Sequence, residues 1–238
     1  MRPDKRKNNQ IRQIKVTTNY IKHAEGSCLL EMGDTRIVCT ATFENKVPVF
    51  LKGAGSGWVT AEYGMLPRAT GVRNYRNELM GGGRVKEIQR LIGRVLRTIT
   101  DLRAFGESTV KVDCDVIQAD GGTRVASIIG GFIVLVEAFK KLRNQRVIHS
   151  LPVKDYLAAV SVGIVKGEKL LDLSFSEDSK ADVDMNVCMT GDGKIVEVQG
   201  TAEKEPFSKE DLDGLLSLAK KGVEEIIEIE KDIVGVIL

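Results

Sequence analysis

The chain has 238 residues, 42% of them hydrophobic, enough for a substantial core, and a formal net charge of only +2. The longest apolar stretch, residues 128–136, is interrupted by glycines and far too short to cross a bilayer. Residues 1–9 are charged with no apolar segment behind them, so they do not read as a signal peptide and the expected location is cytoplasmic.

The small net charge conceals an asymmetry. Residues 1–112 carry 20 Lys and Arg against 10 Asp and Glu, whereas residues 113–238 carry 15 against 23. A basic half and an acidic half suit a polyanion-facing side joined to a carboxylate-bearing region, although uneven surface charge alone has the same signature. Cys28, Cys39, Cys114 and Cys188 lie far apart in apolar runs without C-x-x-C pairing. They are expected to be reduced, buried thiols rather than disulfides or zinc ligands.

In chain order, the first third reads as β. Residues 27–32 and 35–43 are apolar runs separated by Gly33-Asp34, a hairpin signal. Residues 58–63 read as a further strand. Residues 65–83 have no apolar periodicity and carry Arg68, Arg73 and Arg76, so they read as a long loop of the kind that is functional or disordered. Val85, Ile88, Leu91, Ile92, Val95, Leu96, Ile99 and Leu102 then recur at three- and four-residue spacing, predicting a helix over 84–104.

Residues 109–117 alternate as a strand, 118–123 turn, and 124–142 read as a buried helix rich in small residues. Strands are expected at 156–165, 170–173, 183–189 and 195–199, with Gly191-Asp192-Gly193 as a hairpin turn. An amphipathic helix over about 208–230 opens on Ser208 with Asp211 three residues on, a capping-box pattern. The mixture implies an α/β (α+β) domain with helices packed on sheets. It is read as a single domain over 1–238 with subregions at roughly 1–145 and 146–238.

Four clusters could carry chemistry. Gly81-Gly82-Gly83-Arg84 opens a helix, where free N–H groups and a partial positive charge suit an anion and arginine adds paired donors. Alone, such a turn serves more often as plain punctuation. Ala119-Asp120-Gly121-Gly122-Thr123-Arg124 repeats the arrangement with a hydroxyl added, and no Lys-Ser/Thr follows, so it is not a Walker A loop. Two such entries in one domain could converge on one small anion.

The acidic group Asp172, Glu177, Asp178, Asp182 and Asp184 suits Mg²⁺ or Mn²⁺, or is a solvated acidic turn. Asp182 and Asp184, two apart at a strand start, should share a face. The loop arginines Arg68, Arg73 and Arg76 fit a track for RNA phosphates. Arg90, Arg94 and Arg97 share a helical face that reads as solvated or ion-paired, with Glu87 and Asp101 as partners. Tyr63, Tyr75 and Phe105 could stack on bases, with core packing expected for Tyr63 and Phe105. His23 and His149 are the only histidines and pair with no nucleophile.

Longer motifs are more specific: Gly57-Trp58-Val59-Thr60-Ala61-Glu62-Tyr63, Met65-Leu66-Pro67-Arg68-Ala69-Thr70, Glu87-Ile88-Gln89-Arg90-Leu91-Ile92-Gly93-Arg94, Asp113-Cys114-Asp115-Val116-Ile117-Gln118-Ala119-Asp120-Gly121-Gly122-Thr123-Arg124 and Val183-Asp184-Met185-Asn186. In this order they resemble the RNase PH family, its bacterial members in particular, over nearly the whole chain.

The resemblance implies a ribosomal-protein-S5-domain-2-like fold on mixed β-sheets and a homohexamer, a trimer of dimers. It implies phosphorolysis: inorganic phosphate, the co-substrate, attacks the 3′-terminal phosphodiester of tRNA precursors or other RNA 3′ ends, releasing nucleoside diphosphates reversibly. The family's phosphate site falls on Arg84, Gly122, Thr123 and Arg124, and its metal-associated catalytic pair on Asp178 and Asp184. Its tRNA contacts fall on Arg68, Arg73 and Arg76. A non-catalytic RNA-binding ring subunit is the alternative; such subunits lose these charged positions, and here they are kept. The chain departs from the family where Val85-Lys86 stands for Thr-Met, Lys5 for Gly and Val125 for Thr. It ends without the appended RNA-binding domains of polynucleotide phosphorylase.

Overall fold

The computed structural model describes residues 2–76 and 82–237. Five strands, β1 (Ile14–Thr18), β2 (Gly26–Met32), β3 (Thr35–Glu44), β4 (Trp58–Met65) and β5 (Thr109–Gln118), form one sheet in the order β1-β2-β3-β5-β4. Its pairs are antiparallel except β4 with β5, which are parallel and joined through α1 (Gly83–Thr98). A second, wholly antiparallel sheet has the order β7-β6-β8-β9. Its strands are β6 (Leu157–Val165), β7 (Glu168–Leu171), β8 (Val183–Thr190) and β9 (Ile195–Ala202). The expected class, an α/β (α+β) domain with helices packed on sheets, is the observed one; the first sheet is mixed and the second antiparallel.

The core is organised by α2 (Thr123–Asn144), which packs against β2, β3 and β5 of the first sheet and β6 of the second. A helix apolar on all sides must be covered on all sides, and fifteen of its 22 residues are buried. Phe132 and Phe139 are fully enclosed. Contact with β2 is close enough that a Cβ at Gly26 would lie 2.1 Å from the Val134 carbonyl oxygen. Phe105 packs on Phe139 with ring centroids 5.3 Å apart and is 6% exposed. Core packing, as expected from the sequence, is therefore the use of Phe105. Cys28, Cys39 and Cys114 meet in the same core, and all four cysteines are free and buried.

Several boundaries differ from the sequence reading. Helix α1 stops at Thr98 rather than near residue 104, because the next segment pairs elsewhere. Thr100 bridges to Val153, and the Asp101 N–H donates to the Pro152 carbonyl at 2.9 Å. Ile99 and Leu102 continue the apolar rhythm but spend it on core packing outside the helix. Strand β7 ends at Leu171, where Asp172 turns to φ +53°, and a four-residue helix, α3 (Phe175–Asp178), follows after the Ser174–Glu177 capping box. Residues 77–81, including Gly81 and part of the expected long loop, lie outside the described residues. Lys5 sits at φ +64°, a conformation that glycine adopts without strain.

The C-terminal helix α4 (Lys209–Val234) begins with the expected capping box, the Asp211 N–H donating to Ser208 Oγ at 3.1 Å. It covers the second sheet and buries Glu230 completely, with neither carboxylate oxygen hydrogen-bonded among the described residues. Burial pushes this carboxyl well above the usual range. A carboxyl raised on folding costs nothing below its unfolded pKa and destabilises progressively as pH rises toward its folded pKa. Relative to the parent, Glu230→Gln should therefore be more stable at about pH 8 than at about pH 4 by calorimetry. The same relative stability at both values would refute this reading.

Candidate active site

Both sheets deliver groups to one cavity of about 490 Å³, which adjoins a more polar one of about 530 Å³. Arg84, Arg124, Asp178, Asp184 and Asn186 line both. The first sheet's half supplies the cationic groups. Helices α1 and α2 are capped by Gly82 and Gly122, and neither has a side-chain cap. Their first-turn N–H groups are thus left for a ligand or water, and the partial positive charge of each helix end is not offset by an acid in the first turn.

Gly121 and Gly122 adopt φ +75° and +68° to make the entry into α2. A Cβ at Gly121 would lie 2.7 Å from the Phe175 nitrogen, and one at Gly122 would lie 2.8 Å from Arg12 Nη2 and Met32 Cε. Glycine is required there both by conformation and by space.

Thr123 Oγ1 and the Tyr63 hydroxyl are 2.9 Å apart, and burial raises the Tyr63 pKa, so the phenol stays neutral. The Arg124 guanidinium is oriented by Glu87 Oε2 at 2.9 Å and by Gln199 Oε1. Arg84 is exposed at the cavity and has no ion pair or hydrogen bond among the described residues. Val85 lines the cavity, and Val125 is fully buried.

The second half supplies the acids and sorts the carboxylates that sequence had grouped. Asp172 and Glu177 are buried in ion pairs with Arg12 and Arg2. Asp182 precedes β8 and pairs with Lys204 at 2.6 Å; it does not line the cavity with Asp184, contrary to the shared-face expectation. Asp178, at the end of α3, and Asp184, on β8, do line it. Burial raises both, and with the neighbouring Asp178 charge it takes Asp184 to about 6, while Arg124 and Arg84 pull the other way.

Among the described residues, no cluster of three or more His, Cys, Asp and Glu forms a metal cage. Two partly desolvated carboxylates without side-chain partners nonetheless fit Mg²⁺, which is held by one or two carboxylates plus substrate phosphates and water.

Arg68, Arg73 and Arg76 are exposed on the loop whose Thr70, Gly71 and Asn74 wall the cavity, and they do not line it themselves. Arg73 lies 5.6 Å over the Tyr75 ring. The helical stripe is indeed engaged, but not by Glu87 and Asp101: Arg94 pairs with Glu197 at 3.0 Å, and Arg97 sits 4.2 Å over Trp58. Sequence reasoning missed Asn186, Ser161 and Phe175 in the lining. Asn186 was accessible from strand parity, two residues beyond Asp184.

Two segments match the 3′ exoribonuclease family, its domain 1 over residues 10–140 and its domain 2 over residues 155–222. The chain belongs to the RNase PH family. A ribonuclease PH from Bacillus cereus is 56% identical over 238 positions, covering 99% of this chain and 97% of that protein. Among solved structures, an Archaeoglobus fulgidus exosome with RNA bound to the active site superposes with a TM-score of 0.83 at 22% identity, covering 96% of this chain and 92% of that one. Rice Rrp46 gives 0.80 at 19%, covering 98% and 100%. These two show the shared fold. The cationic half of the cavity falls in the first matched segment and the acidic half in the second.

The raised Asp184 carboxyl depends partly on Asp178. In metal-free Asp178→Asn protein, the Asp184 midpoint followed by carboxyl ¹³C NMR should fall from about 6 toward the ordinary carboxylate range. An unchanged midpoint would mean that the two groups do not share a site.

Proposed function

We propose that this chain is a phosphorolytic 3′-to-5′ exoribonuclease acting as a tRNA nucleotidyltransferase. The observation that carries this reading is the convergence of two uncapped, arginine-bearing helix entries with an acid pair in one cavity. Phosphoryl transfer asks mainly for positioning and charge neutralisation. Arg84, Arg124 and the N–H groups at Thr123 and its neighbours hold inorganic phosphate, with Gly122 keeping the approach open.

A phosphate oxygen attacks the 3′-terminal phosphorus, a new P–O bond forms, and the bond to the preceding nucleotide's O3′ breaks. Hydrogen phosphate brings the proton that O3′ takes up, and one of Asp178 and Asp184 would assist its transfer. One linkage replaces another, so the reaction runs in both directions. Asp178 and Asp184 would hold Mg²⁺ or Mn²⁺, which supplies neutralisation of phosphate charge when bound. A non-catalytic RNA-binding ring subunit would have no use for this complete set of charged groups.

The inferred substrates are tRNA precursors and other RNA 3′ ends, led in by Arg68, Arg73 and Arg76. The inferred assembly is a homohexamer, and the inferred location the cytoplasm; no helix among the described residues is long and apolar enough to cross a membrane.

Arg124→Ala should lower phosphate-dependent release of nucleoside diphosphate about 10²-fold. Near-normal release, or degradation indifferent to phosphate, would sink the assignment. Replacing Arg68, Arg73 and Arg76 together by alanine should reduce the slope of log RNA affinity against log salt by about 2, from three lost phosphate contacts on a single strand. An unchanged slope would remove the loop from the RNA path.

A further inference from the structure

The two halves of the cavity come from segments far apart in sequence, and one buried side chain touches both. Arg12 donates from its backbone N and Nε to Asp172 Oδ2 at 2.7 and 2.9 Å and from Nη2 to Asp172 Oδ1 at 2.6 Å. The same guanidinium reaches the phosphate loop, with Nη1 donating to the Asp120 carbonyl at 2.6 Å and Nη2 to that of Gly121 at 3.5 Å. It also donates from Nη2 to the Leu173 carbonyl at 3.4 Å, one residue before the Ser174 cap of α3 and its Asp178. Arg12 is 5% exposed, Asp172 is 0% exposed, and neither lines the cavity.

We propose that Arg12, locked by Asp172, is a positioning residue that fixes the distance between the phosphate-binding loop and the acidic pair. The proposal rests on the reading of that loop as the phosphate site.

Two further observations support it. Arg2 and Arg6 also serve this region, but only on its acidic side. Arg2 binds Glu177 through Nε and Nη2 at 2.7 Å each, and Arg6 donates to the Asp172 carbonyl at 3.0 Å and to Asp172 Oδ2 at 3.3 Å. Of the three arginines, Arg12 alone hydrogen-bonds across to the loop. The fit is also tight, since a single added carbon at Gly122 would meet Arg12 Nη2 at 2.8 Å.

A buried ion pair is a poor way to gain stability, because desolvating two charges offsets most of their attraction. What this pair does supply is a rigid fork with donors left over for carbonyls on both sides. A displacement of about 1 Å between groups that must act on one phosphorus is enough to cost two orders of magnitude in rate.

The test separates position from stability. Arg12→Met leaves Asp172 short of a partner and should lower the melting temperature. The double variant Arg12→Met/Asp172→Asn removes the mismatch and should recover most of it, since asparagine tolerates the left-handed backbone at 172. In both, and in Arg12→Lys, which keeps the charge but not the fork, kcat/KM for inorganic phosphate should fall about 10²-fold. The KM for RNA should stay near that of the parent.

Activity toward phosphate that returns with stability in the double variant, or is unchanged in Arg12→Lys, overturns the proposal and leaves the pair purely structural. The parent enzyme in the same assay tests the underlying reading separately. If the parent releases nucleotides without phosphate, the phosphate site itself is misassigned; if the parent needs phosphate and the variants match it, only the positioning role fails.

Discussion

The first turn of α2 carries Thr123 and Arg124, and its place is fixed by the burial of the helix behind it on every side. Each enclosed aromatic or branched aliphatic side chain contributes about 1.5–3 kcal/mol, and α2 buries Phe132, Phe139, Ile128, Ile129 and Ile133 among others. Glycine in place of a side-chain N-cap costs only roughly a few tenths of a kcal/mol. The core therefore outweighs the unfavourable helix start by a wide margin, and the chain can leave those N–H groups unsatisfied by its own side chains.

The electrostatics of the cavity follow from the same layout. Cationic groups arrive on helix starts from one sheet, and carboxylates arrive from a strand and a short helix of the other. Buried arginines near the N-terminus neutralise Asp172 and Glu177, whereas Asp178 and Asp184 line the cavity without a side-chain partner among the described residues. The acidic cluster thus divides: Asp172 and Glu177 hold backbone in place, Asp182 pairs with Lys204, and Asp178 and Asp184 are partly desolvated and unpaired among the described residues.

Much of this was legible in the sequence, and the parts that were not share a cause. Glycine pairs before apolar helical periodicity announce the entries at Arg84 and Arg124, because both signals are local. The hairpin at Gly33-Asp34 and the capping box at Ser208 are local too. The end of α1 was misplaced because its competitor, Val153, lies some fifty residues on. Asp172 and Glu177 could not be told from Asp178 and Asp184 because their partners, Arg12 and Arg2, lie more than 150 residues away. The short helix α3 carries too few residues for periodicity to register. Asn186 differs, since it lies two residues beyond Asp184 on β8 and strand parity alone puts it at the cavity.

The uncapped starts of α1 and α2 carry a thermodynamic consequence. Donors that the folded chain leaves to solvent are donors an oxyanion can satisfy, and the unfolded chain has no equivalent arrangement. By linkage, a ligand that binds only the native form raises its stability with the logarithm of concentration. In the reading adopted here, inorganic phosphate is at once reactant and stabilising solute. The folded population and the rate of turnover then rise together with the supply of the same small anion.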